Sequence, residues 1–108
     1  MTTQLHPGPL AGVKVLEFSE IIAAPFGGML LGDMGADVIK VEPPAGDPWR
    51  AFQPLGLREG RGYISLNRNK RSIALDLKDP DDRAQARARS SFAERSSRRC
   101  PNLRSSRR

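Results

Sequence analysis

Two runs rich in β-branched and aliphatic residues, Val13-Lys14-Val15-Leu16-Glu17-Phe18 and Ala36-Asp37-Val38-Ile39-Lys40-Val41-Glu42, stand about one short helix apart. That spacing constrains the fold more than any other feature of the chain. Pro43-Pro44 stops the second run, because proline cannot donate to a sheet ladder. Between the runs, Pro25 is tolerated in a first helical turn, and Phe26, Leu30 and Met34, with Met29 beside them, fall at four-residue spacing on one stripe. The pattern predicts a helix from about Pro25 to Met34, closed by Gly35, the residue that most readily takes the positive φ of a helix end. Strand, helix and strand within about thirty residues make a βαβ unit, whose strands are parallel and whose crossover is right-handed. The fold class is therefore α/β.

Residues 43–62 hold four Gly and four Pro with little periodicity, which reads as an irregular excursion around Trp49 and Phe52. Order is expected to resume at Tyr63-Ile64-Ser65-Leu66 and to pass through a basic turn, Asn67-Arg68-Asn69-Lys70-Arg71, into a further strand over Ser72-Ile73-Ala74-Leu75-Asp76-Leu77. Asp79-Pro80-Asp81-Asp82 has the form of a helix start, with a capping acid, proline at the first helical position and carboxylates at the positive end of the dipole. No apolar stripe follows it. A parallel sheet needs both faces covered, and one complete crossover helix covers only one. The body thus reads as the beginning of an α/β domain.

The net charge of +6 hides a sharp division. Residues 1–82 carry nine Lys and Arg against eleven Asp and Glu, whereas residues 83–108 carry nine Arg and a single acid, Glu94. Arg and Ser fill 15 of those last 26 positions, and Phe92 and Leu103 are the only bulky apolar residues there, too few to offset the entropy of ordering the segment. Three regions follow: a flexible leader over 1–9, a body over 10–82, and an Arg/Ser-rich tail over 83–108 that reads as disordered when alone or as translated out of frame. A lone Cys100 and a lone His6 exclude a disulfide framework and a Cys/His zinc site, so no metal is expected and a reducing, cytoplasmic setting fits. The longest weakly polar run, Ile21 to Leu31, is too short to span a bilayer and contains Pro25, Gly27 and Gly28. The leader lacks the regions of a signal peptide, so no membrane partner is expected.

Three places carry candidate chemistry. After the first strand, Ile22-Ala23-Ala24-Pro25-Phe26-Gly27-Gly28 puts small residues where a helix N-terminus faces the carboxyl edge of a sheet, a position that receives phosphates. It lacks G-x-G-x-x-G spacing, and Gly27 and Gly28 read equally as devices for close helix packing. Glu42 stands where dinucleotide-binding proteins keep a ribose acid, and reads equally as a solvated strand-end carboxylate. The segment Asn67-Arg68-Asn69-Lys70-Arg71-Ser72 concentrates three cations in four residues, enough to hold a polyphosphate or to form a solvated turn, and Lys78 lies past the third strand at the same kind of edge. The Arg-rich tail invites a nucleic-acid reading by counterion release, but its one aromatic argues against stacking, so nucleic acid is not the expected partner.

At these residues the chain resembles the class III CoA-transferases, the family of formyl-CoA transferase, carnitine CoA-transferase and α-methylacyl-CoA racemase. The resemblance rests on Pro9-Leu10-Ala11-Gly12-Val13-Lys14-Val15-Leu16-Glu17-Phe18, on Ala24-Pro25 followed by Leu31-Gly32-Asp33-Met34-Gly35-Ala36-Asp37-Val38-Ile39-Lys40-Val41-Glu42, and on Asn69-Lys70-Arg71-Ser72-Ile73-Ala74-Leu75-Asp76-Leu77-Lys78. It implies the start of a Rossmann-like, parallel-sheet CoA-binding domain in a chain several times longer, with coenzyme A or an acyl-CoA as substrate, a carboxylic acid as acceptor, and interlocked homodimers. In such transferases an Asp carboxylate attacks the thioester. That Asp lies beyond the matched region, so no catalytic residue is carried over. The coenzyme A contacts implied are Ile22 and Ala23 after the first strand and Leu75, Asp76, Leu77 and Lys78 after the third, with Arg71 added for its charge. Some members use an Arg just after the second strand, where this chain has Pro43.

The expected function is that of the N-terminal part of an acyl-CoA:carboxylate CoA-transferase, inactive as this chain alone. The alternatives are an acyl-CoA racemase of the same family and a basic nucleic-acid-binding protein acting through its tail.

Overall fold

A computed structural model describes residues 7–51 and 60–97, with side chains through Ser91. Three parallel strands, β1 (Lys14–Phe18), β2 (Asp37–Glu42) and β3 (Lys70–Ala74), form one sheet in the order β1-β2-β3. Helix α1 (Ala23–Asp33) connects the first two strands; α2 (Pro48–Ala51) and α3 (Arg61–Asn67) lie between β2 and β3; α4 (Pro80–Ser97) follows. The register sets Glu17 beside Lys40, Lys40 beside Ser72 and Val41 beside Ile73. Among the described residues no helix is long and apolar enough to cross a membrane.

The expected βαβ unit is present. Gly35, at φ 98°, turns the chain out of α1, and the Asp37 N–H donates to the Val13 carbonyl at 2.8 Å to begin the ladder. The leader expected to be flexible is anchored at its end: a Cβ on Gly8 would stand 2.1 Å from the Met34 carbonyl oxygen, and the Leu10 N–H donates to that same oxygen at 2.9 Å. Residues 1–6, Phe52 and Cys100 lie outside the described residues.

The α1 stripe turns outward. Phe26, Leu30 and Met34 are 48%, 44% and 39% exposed, whereas Pro25, Gly28 and Met29 are buried. Small residues face the sheet because the helix lies almost on it: a Cβ on Gly28 would fall 1.9 Å from Glu17 Oε2. Order resumes at Arg61, two residues before the expected Tyr63, in the form of α3, which packs on α1. The third strand begins two residues before the expected Ser72 and ends at Ala74. Asn69, at φ 60°, makes the turn, and Lys70 and Arg71 therefore belong to the ladder.

Pleating divides the strands between two faces. Glu17, Lys40 and Lys70 face α1, while Leu16, Val41 and Ile73 face α4, where Val41 and Leu75 enclose Ala86. Helix α4 runs through residues 83–97, a segment whose composition reads as disordered. Asp79 starts it as expected, its Oδ1 accepting the N–H groups of Asp81 at 2.8 Å and Asp82 at 3.1 Å. Ala and Arg are strong helix formers, and one buried alanine lets a polar helix lie across β1 and cover the second face. Residues 98–108 lie outside the described residues.

Candidate functional site

All three strands are parallel, so their carboxyl ends meet at one edge, where open α/β sheets bind ligands. A cleft of about 480 Å³ opens there, walled by residues 18–20 after β1, 41–44 at the end of β2 and 75–78 after β3. Leu75, Asp76, Leu77 and Lys78 thus stand together in its wall. Leu75 is buried and donates its N–H to the Glu42 carbonyl at 2.9 Å. Asp76 shapes the next turn: its N–H donates to Asp82 Oδ2 at 2.8 Å and its Oδ1 accepts the Lys78 N–H at 2.9 Å. Lys78 and Leu77 remain exposed. Ile22 and Ala23 do not line the cleft themselves but follow Glu20, which does. Ile22 is the N-cap of α1 and supplies no side-chain cap.

The turn into α1 is strained. Ile21 has φ 68°, a left-handed conformation in which a β-branched side chain is an outlier costing on the order of 1–3 kcal/mol. A buried ionic cluster lies next to this turn. Lys40, wholly buried in mid-sheet, places Nζ 2.8 Å from Asp47 Oδ2, 3.3 Å from Glu17 Oε1 and 3.0 Å from the Ser19 carbonyl. The Ser19 hydroxyl donates to Glu17 Oε1. Lys70 Nζ reaches Glu17 Oε2 at 2.8 Å, the Pro25 carbonyl at 2.7 Å and Asn67 Oδ1 at 3.0 Å. Asp47 Oδ1 accepts the N–H groups of Ile21 at 3.2 Å and Trp49 at 2.9 Å. Burial pushes the Asp47 carboxyl up, but Lys40 and the two amides outweigh it and hold it below the usual range. Burial also lowers the Lys70 ammonium, against the pull of Glu17.

Glu42 is neither a ribose acid nor a solvated carboxylate. It is buried, and both oxygens are taken: Oε2 accepts from the Asp47 N–H at 2.9 Å and Arg50 Nε at 2.8 Å, while Oε1 accepts from Arg50 Nη2 at 2.8 Å and the Tyr63 hydroxyl at 2.5 Å. Arg50 lies 3.8 Å over the Tyr63 ring. Burial raises the Glu42 carboxyl, yet Arg50, Tyr63 and the Asp47 amide together bring it down to about 2. Burial and the Glu42 charge drive the Tyr63 hydroxyl well above the usual tyrosine range.

The basic segment disperses instead of converging. Arg68 pairs with Asp33 at 2.6 Å, Lys70 turns inward to Glu17, and Arg71 Nη2 binds both Asp37 oxygens at 2.7 Å. Asp37 begins β2, so Arg71 stands toward the opposite edge of the sheet from Leu75, about 13 Å along the strand. The structure does not bring Arg71 to the cleft. Glu17, Lys40 and Asp47 were missed as a cluster. The sequence did contain a signal, opposite charges at alternating positions of two strands that both need burial, but only the register brings them side by side.

The sequence profile of CoA-transferase family III matches residues 10–88, well over half the chain. The chain belongs to CoA-transferase family III. It is 53% identical over 74 residues to the human succinyl-CoA:glutarate CoA-transferase, covering 67% of this chain and 17% of that protein. It is 45% identical over 87 residues to the succinate–glutarate CoA-transferase of Agrobacterium fabrum, covering 73% of this chain and 22% of that one. The crystal structure of a CAIB/BAIF family protein from Brucella suis superimposes with a TM-score of 0.75 at 40% identity, covering 81% of this chain and 24% of that chain. This family III chain therefore spans about a fifth of the length of its curated relatives.

Proposed function

We propose that this chain supplies the coenzyme-A-facing edge of an acyl-CoA:carboxylate CoA-transferase. Ile22 and Ala23, which follow Glu20 of one cleft wall, and Leu75, Asp76, Leu77 and Lys78, which stand in another, contact the coenzyme. Lys78 offers an ammonium to a phosphate. The reaction exchanges a thioester for a carboxylate: the CoA sulfur leaves the first acyl carbon and bonds to the carboxyl carbon of a second acid, whose broken C–O bond releases the oxygen that completes the carboxylate of the first. No described residue is given a catalytic role. A second copy of the chain and a carboxylic acid are the partners this reading implies. The relatives' names favour transfer over racemisation.

One observation carries the reading: residues 75–78 and the turn leading to Ile22 share a cleft at the carboxyl edge. The test is a titration of the 108-residue chain with free CoA, followed residue by residue through amide NMR shifts. Shifts are expected at 22–23 and 75–78 and not at Arg71, with affinity weaker than about micromolar because one edge is only part of a pocket. Shifts confined to other residues, or none at saturating CoA, overturn it.

A further inference from the structure

The left-handed turn at Ile21 has no apolar reason to exist. Ile21 and Ile22 are 44% and 48% exposed, so burial does not hold them there, and α1 has no side-chain cap that fixes its first turn. Polar contacts from a segment 26 residues downstream hold it instead. Asp47 Oδ1 takes the Ile21 N–H, and Asp47 Oδ2 meets Lys40, whose ammonium also takes the Ser19 carbonyl two residues before Ile21. The turn is thus gripped by its N–H on one side and by a carbonyl on the other. Asp47 is itself fixed: its N–H donates to buried Glu42, and Gly46 at φ 84° delivers it to the cluster. The grip joins the two cleft walls formed by residues 19–20 and 43–44.

We infer that Asp47 is a positioning residue of the acyl-CoA site, clamping the β1–α1 turn through Ile21 and Lys40 and so fixing where Ile22 and Ala23 leave the cleft wall that ends at Glu20. The inference rests on the reading of Ile22 and Ala23 as coenzyme A contacts. A left-handed isoleucine persists only where its surroundings over-determine it, and here the surroundings are one carboxylate and one ammonium, both fully buried. Asp47 touches no substrate; it acts through the backbone of Ile21.

The test compares Asp47→Asn, Asp47→Ala and Asp47→Ala with Ile21→Gly in the full 108-residue chain. Hydrogen exchange of the Ile21 amide is read without ligand, and free CoA is then titrated by NMR. An asparagine oxygen still accepts the Ile21 N–H but its NH2 faces the Lys40 ammonium, so Asp47→Asn keeps one arm of the clamp, protects the amide in part and weakens CoA less than Asp47→Ala does. Asp47→Ala exposes the amide and weakens CoA by about tenfold or more. Glycine adopts the left-handed turn without penalty, so Ile21→Gly in the alanine background recovers part of the CoA affinity. Equal effects of Asn and Ala, no recovery by glycine, or an unprotected Ile21 amide in the parent chain overturn the inference. An Asp47-dependent Ile21 amide with no CoA shift at 22–23 overturns the coenzyme A reading while leaving the clamp in place.

Discussion

The two faces of the sheet are made from the same three strands and are held by opposite means. Toward α4 lie Leu16, Val41, Ile73 and Leu75 with Ala86, an apolar contact indifferent to the direction in which each methyl points. Toward α1, beside buried Val38 and the Met29 of that helix, lie Glu17, Lys40 and Lys70, joined by Asp47, a set of charges that must each meet a partner at hydrogen-bond distance. Apolar burial is roughly proportional to area and carries little directional information. A buried ion pair is different: it adds little net stability over a hydrophobic replacement, but breaking it leaves a costly unpaired charge. The apolar face therefore holds the sheet and helix together, and the ionic face decides where particular backbone atoms stand. The strained turn at Ile21 is attached to the ionic face.

This contrast can be broken most forcefully at Lys40. Lys40→Ala leaves Asp47 buried without its cation and Glu17 with Lys70 alone, and is expected to cost about 3–5 kcal/mol in urea unfolding; a loss smaller than that of an apolar truncation would erase the distinction. Acid tests the same face next. Glu42 is held at about 2, against an ordinary 4.5, so its folded-state value is depressed. Its contribution is fully present above about pH 4.5 and is lost as pH falls toward 2, on the order of 3 kcal/mol in all. Acid unfolding of Glu42→Gln should lack that component, and an unchanged acid limb would show that the Arg50 and Tyr63 contacts do not hold in solution. On the other face, Val41→Ala removes a buried side chain and should cost about 2 kcal/mol with no change in acid sensitivity, read from parallel melts at two pH values. The smallest effect is expected at the exposed margin. Arg71→Ala breaks only a surface pair with Asp37, so stability should fall by less than about 1 kcal/mol with CoA affinity unchanged. Lys78→Ala in the cleft wall should weaken CoA by about 1–2 kcal/mol. Equal responses at the two positions would deny that the carboxyl edge is special.

Much of the architecture was legible from local pattern. The βαβ unit, the helix end at Gly35 and the acidic start of α4 each follow from a few neighbouring residues and appear where expected. Leu75 to Lys78, which the family resemblance singles out, stand together at the carboxyl edge. Periodicity misled at α1, because the four-residue stripe of Phe26, Leu30 and Met34 looks like a core face while Gly28 is what the sheet admits. Over residues 83–97 the lack of apolar residues argues against a core and says little about a capped helix with one alanine contact. Charge density carries no direction at Arg71, because three neighbouring cations find three separate carboxylates.

What the chain determined by itself was therefore its membership of a family, its strand–helix–strand order at the start, and the residues that end α1 and begin α4. These depend on chain neighbours and on periods of two and 3.6 residues. Only the tertiary structure decided which face of α1 is buried, that Glu42 is locked by Arg50 and Tyr63, and that Asp47 holds the backbone of Ile21. Those outcomes depend on strand register and on close approach between segments from eight to twenty-six residues apart, where a small displacement separates an ion pair from an unpaired buried charge.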